Sequence, residues 1–288
     1  MTDAAKALPG LSAIAEGYDA VLSDVWGVIH NGMVAYPSAY EALAAYRRQG
    51  GRVVLITNAP RPAPSIIAML DQLGVPKESY DAVVTSGDAS RALISAYRGR
   101  VIHHVGPPTY DDALYEGLGV IRGPAEQAEA VVVTDLDTEE DRPEDYEARV
   151  AVWLERRLPM ICANPDKVVE SGDRLVYCGG ALADFYEARG GTVHMAGKPF
   201  APIYDVALAM ATPPGGAAPA RGRILAIGDS VRTDAQGAAG FGIDLLFITG
   251  SIHAAELDAF GEPDPAAVRA LVAPSNARLA GFMPRLSW

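Results

Sequence analysis

Cysteine is scarce in this chain: Cys162 and Cys178 are the whole supply among 288 residues. Two are too few for a disulfide framework. Neither stands at metal-ligand spacing from a histidine, so both read as small core residues. Basic residues are also in deficit, 24 against 36 acidic, giving a formal net charge of -12. That balance argues against nucleic acid or an anionic membrane as a partner. No apolar stretch approaches the roughly 20 residues needed to span a bilayer. A basic segment leading into an apolar run is missing near the start, so a cytoplasmic protein is expected. An anionic small molecule would have to be met by local positive charge, which makes each basic residue near a candidate site informative.

What is present is an alternation of short apolar runs and helical spacing. Tyr18 to Asp24, Val53 to Thr57 and Ala82 to Thr85 read as buried parallel strands. Between them Ile66, Ile67, Leu70 and Leu73 mark a helix over 65–73, stopped by Gly74, and 89–97 is helix-like as well. The middle repeats the pattern with strands expected at 101–105, 130–134 and 160–163 and a helix over 143–157. The last third returns to the first style, with strands at 223–228 and 244–249 around a helix over 234–241, and His253 is expected to begin a C-terminal helix. Residues 212–222, rich in Pro, Gly and Ala, read as a surface loop. The whole implies an α/β fold, a doubly wound parallel sheet interrupted by an inserted α/β unit.

Four pieces each sit at the C-terminal end of a predicted strand, the edge where open parallel sheets bind ligands. They are Asp24-Val25-Trp26-Gly27-Val28, Thr57-Asn58, Gly197-Lys198-Pro199, and Gly228-Asp229-Ser230-Val231-Arg232-Thr233-Asp234. A carboxylate emerging there, as Asp24 would after Val21 and Leu22, can attack phosphorus and form an aspartyl-phosphate. The plainer job for such an Asp is to cap a turn. Asp229 and Asp234 form an oxygen-rich pair suited to Mg²⁺, which takes one or two carboxylates and completes its shell with water and phosphate. Asp234 could equally cap the following helix. The Thr57 hydroxyl, the backbone amides beside it at Asn58, and the Lys198 ammonium can stabilise phosphoryl oxygens.

In this order the four pieces resemble the motifs of the haloacid dehalogenase superfamily, and specifically its class IIA branch of nucleotide monophosphatases and 4-nitrophenylphosphatases. Thr85-Ser86-Gly87, Ala163-Asn164-Pro165-Asp166 and Gly179-Gly180-Ala181 extend the likeness across most of the chain. The resemblance implies Asp24 as nucleophile, with Mg²⁺ held by Asp24, Asp229 and the backbone carbonyl of Trp26. Thr57, Asn58 and Lys198 become phosphate binders, and Asp234 holds Lys198 or a metal-bound water. It further implies a core of residues 1–88 and 195–288, a cap of 89–194 that closes over the site and selects a small phosphorylated metabolite, and room for a homodimer.

One position departs from the pattern. Most phosphatases of the family carry an Asp two residues after the nucleophile, where it protonates the leaving group; here Trp26 stands there. What is lost is general acid–base help, typically worth about 10²- to 10⁴-fold. The indole would still line the substrate pocket. His30, with a pKa suited to proton transfer, is a candidate substitute, although a loop histidine packing under the cap is the plainer expectation. Trp26 thus keeps two other readings open. One is a weakly active or non-catalytic phosphate-ligand sensor. The other is a metal-independent dehalogenase, which also has an aromatic residue at this place.

Overall fold

The computed structural model describes residues 6–107, 111–171, 174–257 and 263–288. The strands in chain order are β1 (Ala20–Ser23), β2 (Arg52–Thr57), β3 (Ala82–Thr85), β4 (Val101–Val105), β5 (Ile121–Arg122), β6 (Ala130–Val133), β7 (Met160–Cys162), β8 (Val168–Ser171), β9 (Arg174–Tyr177), β10 (Val193–Met195), β11 (Ile224–Gly228), β12 (Asp244–Ile248) and β13 (Arg278–Met283). The helices are α1 (Pro37–Arg48), α2 (Ala63–Gln72), α3 (Ser86–Ser95), α4 (Asp112–Tyr115), α5 (Glu147–Glu155), α6 (Gly179–Glu187), α7 (Ala201–Ala211), α8 (Gln236–Phe241) and α9 (Pro265–Val272).

Strands from the two ends of the chain build one parallel six-stranded sheet in the order β13-β12-β11-β1-β2-β3. Its strands read as unbroken apolar runs because both faces are covered. Val21, Val53, Leu55, Leu225 and Ile227 turn to one face, packed by α1 and α2. Their neighbours Leu22, Val54, Ile56, Ile224 and Ala226 turn to the other, packed by α7, α8 and α9. The chain winds outward from β1 through β2 to β3, and later from β11 through β12 to β13 on the other side. The winding direction therefore reverses between β1 and β11, and a crevice opens at their C-terminal ends.

The middle of the chain forms a second parallel sheet, β10-β7-β6-β4-β5, and an antiparallel hairpin of β8 and β9. Its apolar residues also divide between two faces. Val131, Val133 and Met160 meet α5 and α6, while Ile102, Val132 and Ile161 meet α4 and the end of α3. Helix α3 crosses the expected boundary at residue 88 without a break. It starts in the core at Ser86 and buries Ile94 in the inserted unit.

Three expectations shift. The segment expected to be helical from Asp234 begins earlier, as a wide π-helical turn over Val231–Ala235 that leads into α8. Its cap is Ser230, whose hydroxyl accepts from the Thr233 amide, so Asp234 is released from that duty. His253 lies in a run of turns and pairs with Glu256 rather than opening a helix. Cys162 and Cys178 are both buried and unbridged, as their scarcity suggests. Among the described residues no helix is long and apolar enough to cross a membrane.

Candidate active site

Asp24 leaves the end of β1 and Asp229 leaves the end of β11, the two strands that flank the reversal. Parallel pairing of these strands brings the two carboxylates together, and both are buried. Asp24, Asp229 and Asp234 each offer an oxygen within 4.8 Å of the others. The loop after Asp24 approaches Asp229 so closely that only glycine fits at position 27. Its φ is +81°, and a Cβ there would stand 2.1 Å from Asp229 Oδ2.

Lys198 reaches the same point from the segment between β10 and α7. Its Nζ donates to Asp234 Oδ1 at 2.7 Å and lies 2.8 Å from Asp24 Oδ1, with 1% of the side chain exposed. The lysine is held from behind. Asn58 Oδ1 accepts from the Lys198 amide at 2.7 Å, while Asn58 Nδ2 donates to the Lys198 carbonyl at 3.0 Å. The same amide nitrogen donates to Asp166 Oδ1 at 2.9 Å. Gly197 is wedged in place; a Cβ there would stand 2.4 Å from Ser86 Oγ and 2.6 Å from Asn58 Oδ1. The Lys198–Pro199 peptide is cis.

The electrostatics are lopsided. Asp234, Asp24 and Asp166 bear on the buried ammonium of Lys198, which in turn bears on Asp229. Burial alone would push the lysine pKa down, but Asp234, Asp24 and Asp166 outweigh it and hold the ammonium protonated. Burial, with Asp234 adding to it, pushes the Asp24 carboxyl up well above the ordinary range, against the pull of Lys198. Asp229 is pushed up to about 7 by burial and then by Asp234, with a Ser251 hydrogen bond opposing. Surplus negative charge of this kind is what a divalent cation relieves. Asp234 is already committed: Oδ1 takes the lysine, and Oδ2 accepts from the Asp229 and Ser230 amides at 3.2 and 3.1 Å. The carboxylates left to hold an ion are Asp24 and Asp229.

The remaining expected residues divide. Thr57 is buried at the end of β2, where its hydroxyl accepts from the Ala59 amide. The Asn58 side chain faces inward, spent on Lys198 and Asp166, which leaves only its backbone amide for the expected contact with phosphate. Trp26 forms a wall between two cavities. One, of about 370 Å³, contains Asp24, Asp229 and Asp166 and is walled by Val168, Met195 and Phe200. The other, of about 280 Å³, contains Thr57, Arg61, Asp135 and again Asp166.

His30 lies behind Trp26, fully buried, its ring edge-on to the indole at 5.0 Å between centroids. Its Nδ1 accepts from the Gly32 amide at 2.8 Å, and burial pushes its pKa down to about 4. The ring packs under the indole and does not face either cavity, so it is not the replacement acid. Asp166 has no role that the sequence alone assigns. Its motif, Asn164-Pro165-Asp166, follows a strand of the inserted sheet, and only the fold shows that this loop reaches Asn58.

Sequence models of two domains match the chain. A haloacid dehalogenase-like hydrolase model covers residues 21–120, and a HAD-hydrolase-like model covers 195–273. No curated protein matches. Among solved structures, a haloacid dehalogenase-like family hydrolase from Brucella suis 1330 is 43% identical, covers 97% of this chain and 100% of its own, and superposes with a TM-score of 0.85. A glycerol phosphate phosphatase from Mycobacterium tuberculosis in complex with magnesium shares the fold at 22% identity and a TM-score of 0.63, over 87% of this chain and 73% of its own. NagD from Escherichia coli K-12 does so at 22% and 0.63, over 93% and 96%. With its two carboxylates meeting at the sheet reversal and full-length likeness to the Brucella hydrolase, the chain belongs to the haloacid dehalogenase-like hydrolase family.

Proposed function

We propose that the chain hydrolyses a small phosphate monoester with the help of Mg²⁺, through an aspartyl-phosphate on Asp24. The observation that carries this reading is the buried Lys198 ammonium, placed 2.8 Å from Asp24 and 2.7 Å from Asp234. An ammonium held there offsets the neighbouring carboxylates and can also stabilise the negative charge that a phosphoryl group brings. Asp24 and Asp229 would hold the ion, with the Trp26 carbonyl as a third ligand. Bound there, Mg²⁺ would neutralise phosphoryl charge so that two anions can approach. The chain's own residues do the rest. Asp24 attacks phosphorus, Lys198 offsets the growing charge on the phosphoryl oxygens, and Asp234 keeps the lysine aimed. Thr57 adds a hydroxyl from the neighbouring strand end.

The cavity beside Asp24, about 370 Å³, is of metabolite size. Its walls of Trp26, Val168, Met195 and Phe200 favour an aryl or otherwise apolar leaving group over a bare polyol. The phosphatases among the structural neighbours agree with phosphate as the reacting group. Release of inorganic phosphate from a panel of aryl, nucleoside and sugar phosphates, titrated with Mg²⁺, tests the reading. Metal-dependent release that vanishes in Asp24→Asn supports it. Metal-independent halide release from haloacids would replace it with dehalogenation. A second reading, a phosphate-ligand sensor, is favoured by Trp26 alone, and phosphate binding without turnover would establish it.

A further inference from the structure

Hydrolysis of an ester with a poor leaving group needs a proton at the departing oxygen, and neither Trp26 nor His30 is placed to give one. We infer that Asp166, carried in from the inserted unit, is the general acid and base of this site; the inference rests on the phosphatase reading above.

Position singles out Asp166 first. It shares the larger cavity with Asp24 and Asp229, and it also borders the smaller one. It stands with Trp26 at the wall between them. Its backbone is fixed on both sides: the Asp166 amide donates to Asn164 Oδ1 at 3.2 Å, and its carbonyl accepts from the Gly180 amide at 3.0 Å, at the start of α6. Its side chain is fixed to the core by the 2.9 Å bond from Asn58 to Oδ1. That bond leaves the second oxygen to carry a proton.

The other carboxyls are committed or misplaced. Asp24 is the nucleophile of the proposed reaction, Asp229 would hold the ion, and both oxygens of Asp234 are taken. Asp184 pairs with Lys167, and Glu187 is exposed. Asp135 borders only the smaller cavity. Burial pushes the Asp166 pKa up, with Lys198 and the Asn58 hydrogen bond opposing.

In the first step an Asp24 oxygen bonds to phosphorus, the bond from phosphorus to the ester oxygen breaks, and the Asp166 proton passes to that oxygen. The alcohol leaves and Asp166 is a carboxylate. In the second step this carboxylate takes a proton from water as the water oxygen bonds to phosphorus. The bond from phosphorus to Asp24 breaks, phosphate departs, and Asp166 is protonated again.

The test is Asp166→Asn, which keeps an acceptor for Asn58 and removes only the acid. Leaving-group release in the first turnover is followed by quenched flow at saturating Mg²⁺ for alkyl, phenyl and 4-nitrophenyl phosphates. Release from alkyl esters should fall by about 10²- to 10⁴-fold and from 4-nitrophenyl phosphate by less than about tenfold, since that leaving group needs little protonation. Trp26→Asp in the same background should restore part of the alkyl rate. An equal loss on all three esters, or no loss, overturns the assignment. A wild-type protein that releases no phosphate from any ester overturns the phosphatase reading itself, and the assignment with it.

Discussion

The Lys198 ammonium and the Asp24 carboxylate form a buried ion pair, 2.8 Å apart, with 1% of the lysine side chain exposed. Buried pairs are costly to break from one side, because the remaining charge is left without compensation. The two partners are not equivalent here. Asp24 sits among other carboxyls that repel it, whereas Lys198 is the cation they all share.

Lys198→Met should therefore lower stability by about 3–5 kcal/mol and abolish turnover. Asp24→Asn should abolish turnover at a cost below about 1 kcal/mol, since it relieves repulsion while it loses the pair. Urea unfolding of both variants without metal checks the contrast. Equal destabilisation would mean that the carboxylates do not share the lysine.

Gly27→Ala asks for a φ of +81° from a residue with a Cβ and drives that Cβ into Asp229. The backbone strain alone costs about 1–2 kcal/mol. Displacement of Asp229 should raise the Mg²⁺ concentration for half-maximal rate by about 10- to 100-fold, the range seen when groups supporting a metal site are disturbed. Metal titration of phosphate release measures it, and an unchanged midpoint would remove Asp229 from the ion site.

Asn58→Ala removes two bonds to the Lys198 backbone and one to Asp166. Buried bonds of this kind contribute about 1 kcal/mol each, so a loss of roughly 2–3 kcal/mol is expected. The rate should fall as well, through a misplaced lysine. Affinity for inorganic phosphate should change less than the rate does, because Asn58 positions the site and does not line it.

Asp135 carries the clearest pH signal away from the ion site. Burial pushes its carboxyl up from 3.8 to about 7. A raised acid pKa contributes stability that is fully present below the unfolded value of 3.8, declines above it, and is gone above about 7. Asp135→Asn lacks that decline. The variant should gain on wild type between about pH 4 and 7, by up to about 1.4 kcal/mol as the pH rises through each whole step, and hold a constant margin beyond. Unfolding free energies across that range measure it; parallel curves would refute the role of burial.

Much of the site was legible because its parts follow apolar runs buried on both faces. Val21-Leu22 before Asp24 and Leu225-Ala226-Ile227 before Asp229 announce strand ends with little ambiguity. Asp166 follows an equally clear strand, yet its approach to Asn58 depends on how the inserted unit meets the core, which no local spacing encodes. Strand β13 escapes the sequence pattern for a different reason. Its Arg-Leu-Ala-Gly-Phe-Met run contains Gly281, and its pairing with β12 shifts register between Leu245 and Leu246. The β8–β9 hairpin is hidden because Leu175 and Tyr177 are exposed and Val176 is not, so one strand face has no apolar cover. Sequence shows a side chain's chemistry and not its direction, so it left open whether His30 packs or donates a proton, and only the fold places the ring under the indole.

Gly197 and Ser86, close enough that a Cβ on one would strike the other's hydroxyl, lie on the two passages of chain that join the inserted unit to the core. The passages therefore run side by side, like two pins on one door edge. Beyond that edge there is little slack. Ala196 and Gly197 alone separate the end of β10 from Lys198, a tether of no more than about 11 Å when taut. A swing of the inserted unit about this edge would be felt first at the lysine peptide, so the tether would link the width of the doorway to the aim of the Lys198 ammonium.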